Sequence, residues 1–208
     1  MAIGNYTQLQ TAVANWLDRD DLTDRIPEFI TLAEARMNRV LRLRLMEAKY
    51  TASTVGAQRN YALPTGYLQM RNFQLNTSPI TTLSYVSPEI FDRLWGGSTG
   101  GTPQFYTILA GEVQLGPMPG SVLTMEMLFY KKITALSAAN QTEQMLTDNP
   151  DIYLYGALLE AEPFIMNDER VGLWAKGFAQ AVADLQEQDN KDRHSGSALR
   201  VMNTSGYY

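Results

Sequence analysis

Asn149-Pro150-Asp151-Ile152-Tyr153-Leu154-Tyr155-Gly156-Ala157-Leu158-Leu159-Glu160-Ala161 is the stretch that decides the fold. Asn149 reads as a helix cap with Pro150 at the first helical position, where a missing N–H costs nothing. Ile152, Tyr155, Leu158, Leu159 and Phe164 or Ile165 form its buried face, and Pro163 is expected to kink or end it. Asp168 caps a last helix carrying Val171, Trp174, Phe178, Val182 and Leu185. After Gln188 the chain turns polar, from Asp189 to Gly196. A helical pair so apolar on one face needs a partner surface.

The N-terminal end supplies one. Leu9, Ala12, Val13, Trp16 and Leu17 recur at helical spacing behind Asn5, with Gln8 three residues on as a capping box. Asp18-Arg19-Asp20-Asp21 closes that helix in a polar turn. A second helix is capped by Asp24, takes Pro27 in its first turn, and carries the stripe Ile26, Phe29, Ile30, Ala33, Met37, Val40 and Leu41. Its acids come early (Asp24, Glu28, Glu34) and its bases late (Arg36, Arg39, Arg42, Arg44), as the helix dipole favours. No stop signal precedes about residue 46.

Between the helical ends, from Tyr50 to about residue 135, Thr, Val, Tyr and Phe rise and turn residues recur. Tyr67–Leu75, Thr82–Val86 and Val122–Lys131 read as strands. Gln104–Leu109 and Glu112–Leu115 form a hairpin around Ala110-Gly111. Ser87 and Pro88 open a short helix with Ile90, Phe91, Leu94 and Trp95. The fold class is therefore α+β. The economical arrangement is a four-helix bundle of the N- and C-terminal helices (1–48 with 145–192), an inserted β-rich domain (49–144), and an extended C-terminal arm (193–208). The alternative sets two helical hairpins on either side of the β domain.

Composition narrows the function. The 208 residues carry a net charge of −5, which disfavours a free-standing nucleic-acid binder. There is no cysteine, hence no disulfide, no Cys-based zinc site and no thiol nucleophile. The single histidine, His194, lies in a polar tail and reads as an exposed titrating group. No apolar run reaches membrane-span length, and the start lacks the basic and apolar regions of a signal peptide, so we expect a protein made in the cytoplasm. The carboxylate pairs Asp20/Asp21 and Glu160/Glu162 read as solvated or helix-capping, and Glu160 and Glu162, about 200° apart on a helix, do not face each other as an acid/base couple requires. Gly96-Gly97-Ser98-Thr99-Gly100-Gly101 lacks the Lys-Ser/Thr ending of a phosphate loop and reads as a flexible loop. We expect no enzyme, no cofactor and no metal site.

Two features read as contact surfaces. Arg36, Arg39 and Arg42 form a slowly drifting basic stripe, extended by Arg44 and Lys49. Eleven acids between Glu143 and Asp192 face only Arg170, Lys176 and Lys191, so the stripe is expected to pair with that segment, within or between subunits. We take Arg36, Arg39, Arg42 and Arg44 as candidate subunit-interface residues. In the tail, Leu199, Val201, Met202, Tyr207 and Tyr208 are apolar anchors on a polar leash, the pattern of an arm that orders on binding.

The stretches Tyr6–Leu17, Arg25–Arg39 and Asn149–Ala161, continued by Asp168-Glu169-Arg170 and Trp174, resemble phage head-to-tail adaptor proteins, also called head completion or tail tubular proteins. The resemblance covers both helical ends and carries scaffold motifs, not catalytic ones. It implies a structural virion component, assembled in the host cytoplasm. That component forms a ring, often a dodecamer, below the portal. It extends the DNA channel without sequence-specific DNA binding, and offers a platform for the tail tube or nozzle and, in short-tailed phages, for fibres. It also implies that the C-terminal arm, with Leu199, Val201, Met202, Tyr207 and Tyr208, reaches the portal. The competing readings are another neck ring, such as a stopper or terminator, and a virion-associated peptidoglycan hydrolase.

Overall fold

Helices stand at both ends of the chain and strands between them. A computed structural model describes residues 3–97, 100–165 and 170–193. In order the elements are α1 (Tyr6–Leu17), α2 (Ile26–Val40), β1 (Glu47–Ser53), β2 (Asn60–Ala62), β3 (Tyr67–Leu75), β4 (Thr81–Thr82), β5 (Ser84–Tyr85), α3 (Pro88–Trp95), β6 (Phe105–Leu109), β7 (Glu112–Gly116), β8 (Thr124–Lys131), α4 (Gln144–Asp148), α5 (Pro150–Ile165) and α6 (Val171–Arg193). The protein is α+β. The chain divides into two compact units at Leu43/Arg44 and Lys132/Ile133, so residues 133–144, expected in the β-rich part, group with the helices.

In the helical unit α5 is the shared neighbour of α1, α2 and α6. Helices from the two ends of the sequence therefore share one core. The central position explains why α5 has no single buried face: Tyr153, Leu154, Gly156, Ala157 and Ala161 are buried beside Ile152 and Leu158, while Tyr155 and Leu159 are half-buried and Phe164 is exposed. At Gly156 three helices meet. A Cβ there would lie 3.1 Å from Ala33 Cβ on α2 and 3.3 Å from the Phe178 ring on α6. Pro163 sits inside α5 without ending it at that residue. The ring pair Phe29–Phe164, 5.2 Å between centroids, ties the last turn to the start of α2.

Helix ends follow local chemistry, with corrections to the sequence reading. The α1 cap forms as expected through Gln8 N–H to Asn5 Oδ1, and the Gln8 side chain reaches back to Gly4 N–H. Asp24 does not cap α2. It lies in a 3₁₀ turn, Asp20–Arg25, that feeds directly into the helix. α2 stops at Val40, not near residue 46, because Leu41 and Leu43 are both buried around Arg42, an alternation that only extended backbone allows. Arg42 Nη1 then donates to the carbonyls of Asn38 and Leu41 and satisfies the helix end. The short helix α4 was not anticipated; Glu143 caps it by accepting from Met145 N–H. α6 continues through the polar run to Arg193, held by the i,i+4 pairs Glu187–Lys191 at 2.6 Å and Asp189–Arg193 at 2.7 Å. Asp168 and His194 lie outside the described residues.

The second unit holds two four-stranded sheets, β1-β8-β3-β4 and β2-β7-β6-β5, antiparallel except for β5 beside β6. Alternate residues face one core: Met125, Met127 and Phe129 on β8, Phe73 and Leu75 on β3, Val113 and Leu115 on β7. Phe73 meets Tyr106 edge-on at 5.2 Å, one sheet against the other. β3 coincides with its expected span, and the β6–β7 hairpin turns at Ala110 and Gly111, both at positive φ. The strand expected at Thr82–Val86 is instead two short pieces on either side of buried Leu83. Ser87 stands at the N-cap of α3 without a side-chain cap bond. The glycine-rich stretch is held where it is described, by Gly101 N–H to Met118 O and Gly120 N–H to Gly101 O.

The chain re-enters the helical unit at Ile133 and is laced down by backbone donors. Ile133 N–H donates to Asn38 Oδ1 and Leu136 N–H to Glu34 Oε1, both at 2.9 Å. Tyr6 N–H donates to Gln141 O at 2.7 Å. Glu34 is only 5% exposed. Burial, aided by the nearby Glu143 charge, raises its pKa to about 7, although the Leu136 bond opposes this. Burial likewise raises Glu143. The Tyr153 hydroxyl, raised by burial and then by Glu143 and Glu34, has no hydrogen-bond partner among the described residues.

The folded-state pKa of Glu34 exceeds its value of 4.5 in the unfolded chain, so the folded form holds the proton more tightly. Stability is then greatest below pH 4.5 as far as this group is concerned, and falls as pH rises through 7. Glu34→Gln should match the wild type in urea unfolding at pH 5 and exceed it at pH 8 by up to about 3 kcal/mol. Equal stabilities at pH 8 would show that Glu34 is not the group responsible.

Candidate interaction surfaces

The four arginines of the basic stripe have different fates. Arg36 Nε pairs with Glu160 Oε1 on α5 at 2.5 Å, so this part of the basic-to-acidic pairing is made inside one chain. Arg42 is spent on the end of α2. Arg39 is exposed on the outer face of α2, in line with exposed Leu32. Arg44 is exposed in the sheet unit. Lys49 pairs with Glu126 on β8 at 2.7 Å, not with the acidic C-terminal segment. Leu199, Val201, Met202, Tyr207 and Tyr208 lie outside the described residues.

Trp16 lies at the helical spacing of the buried stripe on α1, yet it is 45% exposed. Its ring stands edge-on to Tyr155, 5.8 Å away, at the wall of a cavity of about 330 Å³ lined by Trp16, Tyr155, Leu173, Lys176, Gly177 and Gln180. Leu173 is 65% exposed at this groove. Gly177 lets the Tyr155 ring pack directly against α6 at the groove, because a Cβ there would lie 3.1 Å from the ring. Arg170 fixes the end of α1 behind the groove by donating to Trp16 O and stacking over Trp174 at 5.2 Å. The signal in the sequence was the set of small and large residues at Gly177, Leu173 and Trp16. Helical spacing alone cannot tell a groove from a core seam.

Among the described residues no group of three or more His, Cys, Asp or Glu is arranged to hold a metal ion, and no helix is long and apolar enough to cross a membrane. The distinctive exposed features are the apolar groove beside Trp16 and the outer face of α2 that carries Leu32 and Arg39. Together with the comparison to known families they define the class, a structural adaptor of phage particles. The chain belongs to the SU10 adaptor protein family, whose model matches residues 4–202. No curated protein matches it.

The three arginines of α2 can be separated by measurement. Arg36→Ala, which strands a largely buried Glu160, and Arg42→Ala, which uncaps α2, should each lower stability by about 1 kcal/mol. Arg39→Ala should stay within about 0.5 kcal/mol of the wild type. Urea unfolding at pH 7 checks all three, and a large loss at Arg39 would place that side chain in the fold and not at a contact.

Proposed function

We propose that this chain is the ring-forming head-to-tail adaptor of its particle. Copies close into a ring, a dodecamer, beneath the portal. The ring extends the DNA channel and presents a platform for the tail tube or nozzle, with fibres a further occupant in a short-tailed particle. The observation that carries this reading is the family match, which runs from residue 4 to residue 202 and so reaches into the C-terminal arm. Physical considerations support it. A ring needs two different complementary surfaces on each copy, a heterologous contact that closes. Arg39 supplies an exposed cation for such a contact, while Arg36 and Arg42 also serve the fold. A dodecamer carries roughly −60 formal charges, which lets DNA pass without holding it. The arm residues Leu199, Val201, Met202, Tyr207 and Tyr208 dock on the portal by pocketing alternate side chains.

Cryo-electron microscopy of purified particles tests the reading. A ring of this chain between portal and tail is the expected result, and its absence from the neck rejects the proposal. Removing residues 194–208 should leave thermal unfolding of the helical unit unchanged and abolish attachment to heads. Normal attachment by the truncated chain would overturn the arm assignment.

A further inference from the structure

The apolar groove and the outer face of α2 are complementary in charge and spacing. We propose that the α2 face of one copy seats in the groove of the next, Leu32 against Trp16, Tyr155 and Leu173, and Arg39 against Asp184. This inference rests on the ring reading above and names the contact that closes it. Leu32 is 48% exposed, and Arg39 follows it by seven residues on the same side of α2. On α6, Gly177 forms the groove floor and exposed Asp184 follows it by the same seven residues. Both steps span about 10.5 Å along a helix. With Leu32 level with Gly177, Arg39 therefore comes level with Asp184, whose carboxylate accepts from Gln180 Nε2 within the chain and keeps its charge for a cation. One opposite-sign pair flanks one apolar plug.

This register needs α2 and α6 to run in the same direction across the contact. Within one copy they do. α2 is antiparallel to α5, since Phe29 meets Phe164 and Arg36 meets Glu160. α6 is also antiparallel to α5, since only five residues join Ile165 to Val171 and the two helices pack on each other, as in a helical hairpin. A twelve-fold rotation changes direction by about 30°, so helices parallel within a copy stay near parallel between neighbours. A second copy is thus the occupant that both charge and register specify.

Because the chain has no cysteine, the contact can be mapped by cross-linking. In the proposed register Ala35 lies level with Gln180. Particles carrying Ala35→Cys together with Gln180→Cys, treated with a short bis-maleimide, should give a ladder of covalent multimers of this chain, and either single variant should give none. Arg39→Asp should reduce ring assembly at least ten-fold, and adding Asp184→Arg should restore it. Rings seen by imaging with no ladder, or with cross-links confined to single chains, overturn this contact and leave the ring standing. Wild-type particles with no ring of this chain overturn both.

Discussion

The helical unit depends on the close approach of three helices at Gly156. Ala33 and the Phe178 ring occupy the space a side chain at that position would need. The close contact lets α5 bury most of its circumference, which explains how a helix so apolar on every side is accommodated. It also brings the two ends of the sequence together, so that everything from Arg44 to Lys132 is an excursion that begins and ends on one body. The ion pair of Arg36 with Glu160 and the ring contact of Trp16 with Tyr155 lie within a turn or so of Gly156 along α5. Close packing at one small residue thus sets the positions of both the pair and the groove.

The return of the chain is secured differently. Side-chain acceptors on α2, Asn38 and Glu34, take the backbone donors of Ile133 and Leu136, which would otherwise be left unpaired beside the helix. Using a carboxyl for this purpose carries a penalty, because its charged form loses water on burial and faces Glu143. Near neutral pH the group titrates, so the bond from Leu136 is kept either by a neutral acid or by a desolvated anion. The nearby Tyr153 hydroxyl has no hydrogen-bond partner among the described residues, so this corner of the helical core holds two polar groups that are not fully satisfied.

The boundaries that were legible in the sequence were those written in local chemistry. Asn5 with Gln8, Pro150 at the first position of its helix, and Ala110-Gly111 each mark their element, because capping, a fixed proline φ and positive φ depend on one or two residues. The misses share a cause. α2 ends at Val40 because two leucines beyond it are buried by distant partners, a tertiary fact no stop residue records. β1 and β2 carry few fully buried side chains and take their pairing from β8 and β7. Trp16 sits at core spacing yet opens onto a groove, since periodicity gives the face of a helix and not what covers it. The basic stripe was visible as charge; its division into a helix cap, an intrachain pair and an exposed face was not, because those outcomes turn on where Glu160 and the end of α2 fall.

That division bears on how an adaptor assembles. Arginines used inside the protomer stabilise the fold in the isolated chain and add little to association. An exposed one such as Arg39 contributes little to folding and remains available to a neighbour. A net charge of −5 keeps free copies apart at long range, while in the proposed contact a salt-screened pair flanking an apolar plug acts only once two copies are aligned. Each such contact can be weak. In the proposed ring, copies held on one portal present one another at high effective concentration, and a contact too weak to aggregate the free chain then suffices to close it.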